Sequence, residues 1–551
     1  MKSGRDVLSR AIGGQRGRLG WGSLLGAGHQ AGEALVPVLI GAAIDQAVAG
    51  ESWNRLLVWL GVLAVVYLGL SFSYRFGARL GERAAAEAAH EIRMAVVARV
   101  LHPGGGAGRD RLPGALTGVA TEDARRVGMA LMAVLAGIAA CTGLGVASVV
   151  LLRTSVPLGL IVLVGTPALL WLGHRLSRPL EQRSAVEQES AAHASGVAAD
   201  LVAGLRVLKG LGAETAAVER YRRTSRNSLA ATLRAARAEA WQNGVVLALT
   251  GAFIALLALA GGTFAANGTI TLGEFVAAVG LALFLQGPLQ TLAWVNAELA
   301  QARASAARVA ALLSEPPAVT GGGRDLPARV EGAVRLSGVS HGVLRHLDLD
   351  IPAGEHVAIA AADPAAAVAL LRCLGREADP ESGTVELDGV PLCEVDPARL
   401  REAVLVAEHD SVLFDGSIGD NIGGDEASAG EVLAAAGAGE LSPAAQVGER
   451  GGALSGGQRQ RVALARGLAA GRPVLVLHDP TSAVDAVTEA RVAESVRRLR
   501  HGLTTVVVTT SPALLAAADR VLFLDGGRVA DAAPHDDLLR RNEDYRKAVL
   551  A

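Results

Sequence analysis

Apolar positions along the chain gather into six long runs: Leu24–Val48, Leu56–Phe76, Met129–Leu152, Val156–Leu172, Val245–Phe264 and Phe275–Val295. About 20 such residues are needed for a helix to cross ~30 Å of hydrocarbon. After Asn296 no comparable run recurs, and short β-like runs alternate with helical stretches, as in a soluble α/β domain. The pattern predicts an α-helical six-span membrane domain followed by an α/β domain. The boundaries it suggests are an N-terminal segment 1–18, a membrane domain 19–313, a linker 314–329 and an α/β domain 330–551. Pro316, Pro317, three consecutive glycines and Pro327 mark the linker.

Composition supports this division. The chain has 551 residues, too many for one ordinary domain, and is 51% hydrophobic and 19% charged. Soluble domains carry about 25% charged residues, so much of this chain is expected to meet lipid. A formal net charge of −2 excludes a strongly basic nucleic-acid binder. Cys141, Cys373 and Cys393 are far apart, which excludes a disulfide framework and offers no thiolate zinc signature; no metal site is expected. Alanine and glycine are abundant and lysine is nearly absent, so an alanine at a functional position needs a second argument.

Charge also sets topology. The connections Arg75–Arg126 and Arg175–Arg237 carry nine and eleven basic residues, whereas the loops near Glu51, Ser155 and Asn267 carry one, one and none. Positive-inside reasoning puts both termini, both long loops and the α/β domain in the cytoplasm of a cell whose cytoplasmic membrane the chain crosses. The first twenty residues lack the pattern of a cleavable signal peptide. Both long loops read as cytoplasmic extensions of the membrane helices, and the basic run Arg220–Arg226 as a solvated helix face.

The most specific string is Leu454-Ser-Gly-Gly-Gln-Arg-Gln-Arg461. A glycine-rich turn opens a helix there, and its backbone N–H groups with the Ser455 hydroxyl can face an anion. With Gly448–Gly451 upstream and the aliphatic run Val474–Leu477 downstream, the chain resembles an ATP-binding cassette (ABC) transporter, specifically a half-transporter of the six-helix exporter type. The resemblance covers nearly the whole chain. Pro480–Asp485, with Ser482 and Asp485, looks like the family's D-loop. Gly204–Glu214 is similar to a cytoplasmic docking loop, and Leu116–Asp123 is the weaker candidate for the other one.

The departures from the family pattern are concentrated in one site. The phosphate-loop pattern G-x-x-x-x-G-K-[ST] uses glycines to cradle phosphates, a lysine to pair with them and a hydroxyl to hold Mg²⁺. At the matching positions stand Ala361, Ala366, Ala367 and Val368, and Pro364 removes one amide donor. His478 stands where the family has a Mg²⁺-binding aspartate, although Mg²⁺ prefers oxygen ligands. Asp479 replaces the catalytic glutamate, one methylene short. His409 aligns with the metal-sensing glutamine and Thr510 with the γ-phosphate histidine. The loop that should offer an aromatic to adenine has only His341. Coding bias explains one alanine; it does not explain losses at five motifs beside an intact signature.

The resemblance implies a heterodimer. In the family each nucleotide lies between one domain's phosphate loop and the other's signature. Ser455, Gly456, Gly457 and Gln458 then complete a partner's ATP and Mg²⁺ site, while this chain's own site is non-hydrolytic and binds ATP weakly or not at all. The expected partner is a second half-transporter with intact motifs. Two other readings stay open: a non-transporting membrane scaffold or sensor, and an importer built on the exporter-type fold. Soluble cassette proteins are excluded by the membrane runs.

The membrane half says less about cargo. His29 and Glu33 stand one helical turn apart in the first run, with Gln30 beside them and Asp45 near its outer end. Intramembrane ionisable groups point to function; a polar pair facing water is the plainer reading. Gly28/Gly32 and Gly137/Cys141/Gly145 have the spacing of close helix contacts. Aromatics make up 3% of the chain, which disfavours a large aromatic-lined cavity.

Overall fold

The computed structural model describes residues 3–48, 53–108, 111, 113–409 and 411–550. The loop near Glu51, Asp410 of the His409 segment, the first two residues of segment 1–18 and the last residue of the α/β domain lie outside the described residues, as does the side chain of Arg450. The chain divides into two compact units.

The first unit comprises Met1–Val96 and Pro113–Ser314. It is helical: Gly4–Gly14, Arg16–Ala43, Trp53–Val100, Ala124–Thr154, Val156–Ala203, Glu214–Ala266 and Leu272–Ser314 are its long elements. Four described helices are long and apolar enough to cross a membrane: Trp53–Val100, Gly114–Thr154, Glu214–Ala266 and Leu272–Ser314. The expected spans 24–48 and 156–172 fall in helices that do not reach that level. Arg16–Ala43 is diluted by His29, Gln30, Glu33 and many glycines, and in the other the apolar stretch Val156–Leu172 ends where the described side chains end. A 66° bend at Gly204 separates the short helix Leu205–Leu211 from the one before it, so the expected docking loop Gly204–Glu214 is a turned corner.

Of the glycines that the small-residue spacing singled out, Gly32 packs closely, a Cβ there lying 2.9 Å from Leu70 Cδ2, and other glycines pack more closely still. A Cβ on Gly273 would lie 2.1 Å from the Gly41 carbonyl oxygen, so the first and last long helices touch backbone to backbone there. Gly28 and Gly145, by contrast, face open space. Next to the Gly41–Gly273 contact, Asp45 accepts hydrogen bonds from the Thr271 hydroxyl and the Gly273 amide (2.8 Å for the latter), tying the two helix ends together.

The second unit comprises Val97–Leu112 and Glu315–Ala551. Its strands are β1 (Val334–His341), β2 (Leu344–Ile351), β3 (His356–Ala361), β4 (Ser382–Leu387), β5 (Val390–Pro391), β6 (Val404–Ala407), β7 (Val474–His478), β8 (Thr504–Val508), β9 (Arg520–Asp525) and β10 (Arg528–Ala533). An antiparallel sheet runs β2-β1-β4-β5, and a larger one runs β10-β9-β3-β8-β7-β6. In the larger sheet β9, β3, β8, β7 and β6 are parallel, with β10 antiparallel at the edge. Strands of a parallel sheet covered on both faces read as continuous aliphatic runs. Val357, Ile359, Val474, Val476, Val506 and Val508 accordingly share one buried core.

The linker stretch 314–329 is packed closely against neighbouring segments. Gly322 packs so closely on the Glu394 carbonyl that a Cβ would lie 1.9 Å from it, and the Arg324 amide donates to the same oxygen at 3.0 Å. Arg376, only 2% exposed, donates to the carbonyls of Thr320, Cys393 and Val395 and pairs with Asp379. The glycines permit backbone contact rather than slack. The part of the first long loop that is grouped with the α/β domain is Val97–Leu112. The Gly104 carbonyl accepts from the amides of Ala318 and Val319. Glu315 takes hydrogen bonds from Gly108 and Arg111. Leu116–Asp123 belongs to the membrane unit, where buried Asp123 pairs with Arg308.

Candidate functional site

β3, β8, β7 and β6 are consecutive neighbours in the sheet, and their C-terminal ends share one edge. Open α/β sheets bind ligands at that edge. The structure brings Ala361, Thr510, His478, Asp479 and His409 to it, as the sequence suggests. What it builds there departs from a phosphate cradle. After Ala361 only Ala362 and Asp363 intervene before the helix Pro364–Leu374 begins. Asp363 is its N-cap, and its carboxylate accepts from the Ala365 amide at 2.8 Å. A helix N-terminus attracts anions; here a fixed carboxylate already takes that place, and its charge opposes a phosphate. Ala366 and Ala367 are buried, and Val368 is about half exposed.

Along the edge, the His409 and His478 rings meet edge to face with centroids 5.1 Å apart. Burial holds the His478 imidazole below its ordinary pKa. A half-buried neutral ring is a poor Mg²⁺ ligand, and Val368 offers no hydroxyl, so these residues do not fit the metal. Among the described residues no group of three or more His, Cys, Asp or Glu is placed to hold a metal ion. Asp479 has a left-handed backbone, φ +40°, with its carboxylate 3.8 Å from His478 Nε2. Thr510 is exposed. β1 and β2 are joined by Gly342-Val343 alone, so His341 sits in a tight hairpin.

The signature is built differently. Ser455 caps the helix Gly456–Ala469: its hydroxyl accepts from the Gln458 amide, and the Gln458 side chain accepts from the Ser455 amide at 2.9 Å. This reciprocal cap fixes the turn and leaves Ser455 and Gly456 exposed. A Cβ on Gly456 would meet nothing within 4 Å, whereas one on Gly457 would lie 2.7 Å from the Ala483 carbonyl. Gly457 therefore serves packing inside the chain. Gly456 leaves its backbone open to something outside it.

Gln460, which the sequence alone does not single out, joins the signature to the D-loop. Its side-chain amide donates to the Asp479 carbonyl (2.9 Å) and the Ser482 hydroxyl (2.8 Å), and its oxygen accepts from the Ala483 amide. Its partners lie about twenty residues away, so no local pattern announces them. Asp485 caps the helix Ala486–Leu499, and its hydrogen bonds from Thr488 hold its carboxyl below the usual range.

In the membrane unit His29 and Glu33 do come together, with His29 Nε2 3.7 Å from Glu33 Oε2. They line a cavity of about 570 Å³ with Tyr67, Leu70, Tyr74 and Phe284. A second cavity of about 300 Å³ meets it at His29 and Tyr74 and includes Gln30 and Glu82. Tyr67, Tyr74 and Phe284 are the aromatic residues that line these two cavities.

Comparison with known proteins names this architecture. Residues 20–289 match the ABC transporter transmembrane region, and residues 344–482 match the ABC transporter domain. An ATP-dependent lipid A-core flippase of Thiobacillus denitrificans is 32% identical over 408 residues, 70% of each chain. The chain belongs to the ABC transporter family. Its architecture is that of an ABC exporter half-transporter, a transmembrane region fused to an ATP-binding domain. A multidrug efflux ATP-binding/permease protein of Mycobacterium bovis is 32% identical over 532 residues; the match takes in 93% of this chain but only 44% of that protein. This ABC chain thus spans less than half the length of that relative. The structure of a bacterial Atm1-family ABC exporter with ATP bound shares the fold, with a TM-score of 0.75 and 24% identity over 98% of this chain and 99% of that one.

Proposed function

We propose that this chain is one subunit of a heterodimeric ABC exporter in which ATP is hydrolysed at a single composite site. That site joins the partner's phosphate loop to Ser455, Gly456, Gly457 and Gln458 of this chain. The observation that carries the reading is the contrast at two helix starts. The signature keeps an exposed cap and an open Gly456, while a carboxylate closes the chain's own phosphate position. A homodimer would contain two such closed positions. The mycobacterial relative has more than half its length outside the match, room for a second half within one chain.

On this reading the partner supplies the lysine, the Mg²⁺ ligands and the catalytic carboxylate. This chain supplies the signature backbone and the D-loop residues Ser482 and Asp485. Its own site binds no nucleotide productively and serves as a fixed half of the dimer. The six apolar runs cross the cytoplasmic membrane with both termini inside, and the runs Leu24–Val48 and Val156–Leu172 are completed by packing against the other helices. Closure at the composite site favours one orientation of the membrane cavity, because ATP binds that conformer better.

The test is to tag the chain in its native host, purify it in mild detergent and identify any stoichiometric companion by mass spectrometry. A companion of similar size with an intact phosphate-loop lysine and catalytic glutamate is expected, and the pair should hydrolyse ATP. Recovery of this chain alone, as a stable dimer without ATPase activity, would overturn the reading in favour of a scaffold or sensor.

A further inference from the structure

We propose that Gln460 is a positioning residue of the composite ATP site: it fastens the D-loop to the signature helix, so that both reach the partner's nucleotide as one rigid piece. This rests on the composite-site reading and deepens it. Gln460 lies one helical turn after Gly456 and is 8% exposed. Its side-chain nitrogen donates to the Asp479 carbonyl at 2.9 Å and to the Ser482 hydroxyl at 2.8 Å, and its oxygen accepts from the Ala483 amide at 2.8 Å. The neighbours fix which way that amide points. A backbone carbonyl only accepts and a backbone N–H only donates, so turning the group over would set like against like on both sides.

The signature turn and the D-loop are exposed at Ser455, Gly456, Ser482 and Ala483, while the glutamine that joins them is buried. Ala483 is held from both ends. Its amide donates to Gln460, and its carbonyl lies against Gly457, where a Cβ would come within 2.7 Å. The loop is tied onward as well: the Val484 amide donates to the Thr481 carbonyl at 3.0 Å, and the Thr481 hydroxyl to Glu489 at 2.6 Å. At the loop's other end Asp479 has a left-handed backbone, with its amide bonded to Val508 and its carbonyl to Gln460. Asp479 thus serves this clamp through its backbone, not its carboxylate. Leaving a buried donor or acceptor unpaired is unfavourable, so the D-loop follows the helix rather than moving alone. Gln460 is not among the residues that meet the partner's ATP. Its loss alters how Ser482 and Ala483 stand against that site, while the partner's phosphate loop still holds the phosphates. Phosphoryl transfer depends on positioning, and a displacement of about 1 Å costs on the order of 10²-fold in rate.

The experiment compares two variants in the purified complex. Gln460→Glu keeps the shape and the acceptor for Ala483, but when ionised it sets an acceptor against the Asp479 carbonyl. Gln460→Met fills the space with no hydrogen bond to either strand end or loop. In both, kcat per assembled complex is expected to fall about tenfold or more. Labelling of the partner by 8-azido-ATP should reach half-saturation within about twofold of the unaltered concentration, because the lost effect belongs to the transition state. Asp479→Val, which disfavours the left-handed backbone, should lower kcat in the same way, and Asp479→Gly, which adopts it freely, should lower it less. If Gln460→Glu fails to assemble, Gln460→Met and the Asp479 pair carry the test. Ser455→Arg is run alongside. If it abolishes turnover while the Gln460 variants keep theirs, this proposal falls and the composite-site reading stands. Loss of labelling in step with loss of turnover would make Gln460 a residue of the fold alone and would also overturn it. Full turnover in Ser455→Arg would overturn the composite-site reading, and this proposal with it.

Discussion

The helix Gly456–Ala469 begins at a serine, and the helix Pro364–Leu374 begins at an aspartate followed by proline. Both starts are capped by a side chain that accepts from a backbone amide. The serine is neutral, shares its cap with Gln458 and leaves an exposed glycine beside it. The aspartate brings a negative charge to the spot where a phosphate would be held, and proline removes a donor. The same local device thus keeps one helix start available to an anion and closes the other. On the proposed reading, a chain loses one nucleotide site without losing its fold, because a cap satisfies the helix end that a ligand would otherwise satisfy.

The largest expected effect breaks the open start. Ser455→Arg places a long side chain over the exposed turn and removes the hydroxyl of the cap. Turnover of the purified complex should fall by about 100-fold or more, given how strongly phosphoryl transfer depends on positioning. Unchanged ATPase activity would mean that the signature does not complete a working site. The measurement is steady-state phosphate release, with the amount of assembled complex held equal.

The two signature glycines sharpen the same point. Nothing in the chain meets a Cβ at Gly456, so Gly456→Ala should leave the melting temperature unchanged or raise it slightly. Turnover should nonetheless drop by about tenfold, since the added methyl occupies space kept for the ligand. Gly457→Ala should do the opposite in part. Its Cβ meets the Ala483 carbonyl at 2.7 Å, which costs about 1–3 kcal/mol of stability. If both variants melted early, the open space at Gly456 would have no bearing on function.

Much of this was legible because the signals are local. The serine-to-glutamine cap lies within four residues, and the parallel strands announce themselves as aliphatic runs. The aspartate–proline start had a readable signature too, since aspartate favours the cap and proline the first helical position; reading the segment only against a glycine-rich template hid it. Contacts between distant segments were not legible. Gln460, Arg376 and the Leu101–Gly108 loop act through backbone groups far away in sequence. The close approach of Gly322 to Glu394 was not legible either, because composition does not show which backbones meet.

Restoring a lysine tests the closed start. Ala367 is 6% exposed, so Ala367→Lys forces a long charged side chain into a filled space. A loss of about 1–3 kcal/mol is expected, read as a lower melting temperature. No gain in labelling of this chain by photoreactive ATP should accompany it, because Asp363 still occupies the helix start and no Mg²⁺ ligand has been restored. Strong new labelling with an unchanged melting temperature would show that the lysine alone was missing.

The smallest effect is the most discriminating. Asp479 follows β7 where the family places its catalytic carboxylate, and its left-handed backbone is one that asparagine tolerates as well as aspartate. Asp479→Asn therefore removes a charge with little change in shape. The Asp479 amide and carbonyl keep their bonds to Val508 and Gln460. If hydrolysis takes place only at the partner's phosphate loop, turnover should change by less than about twofold, a difference of under half a kcal/mol in barrier. The same substitution at the partner's catalytic glutamate, changed to glutamine, should stop turnover. Loss of activity from Asp479→Asn would instead place chemistry at this chain's own edge, and the closed helix start would have to open during the cycle.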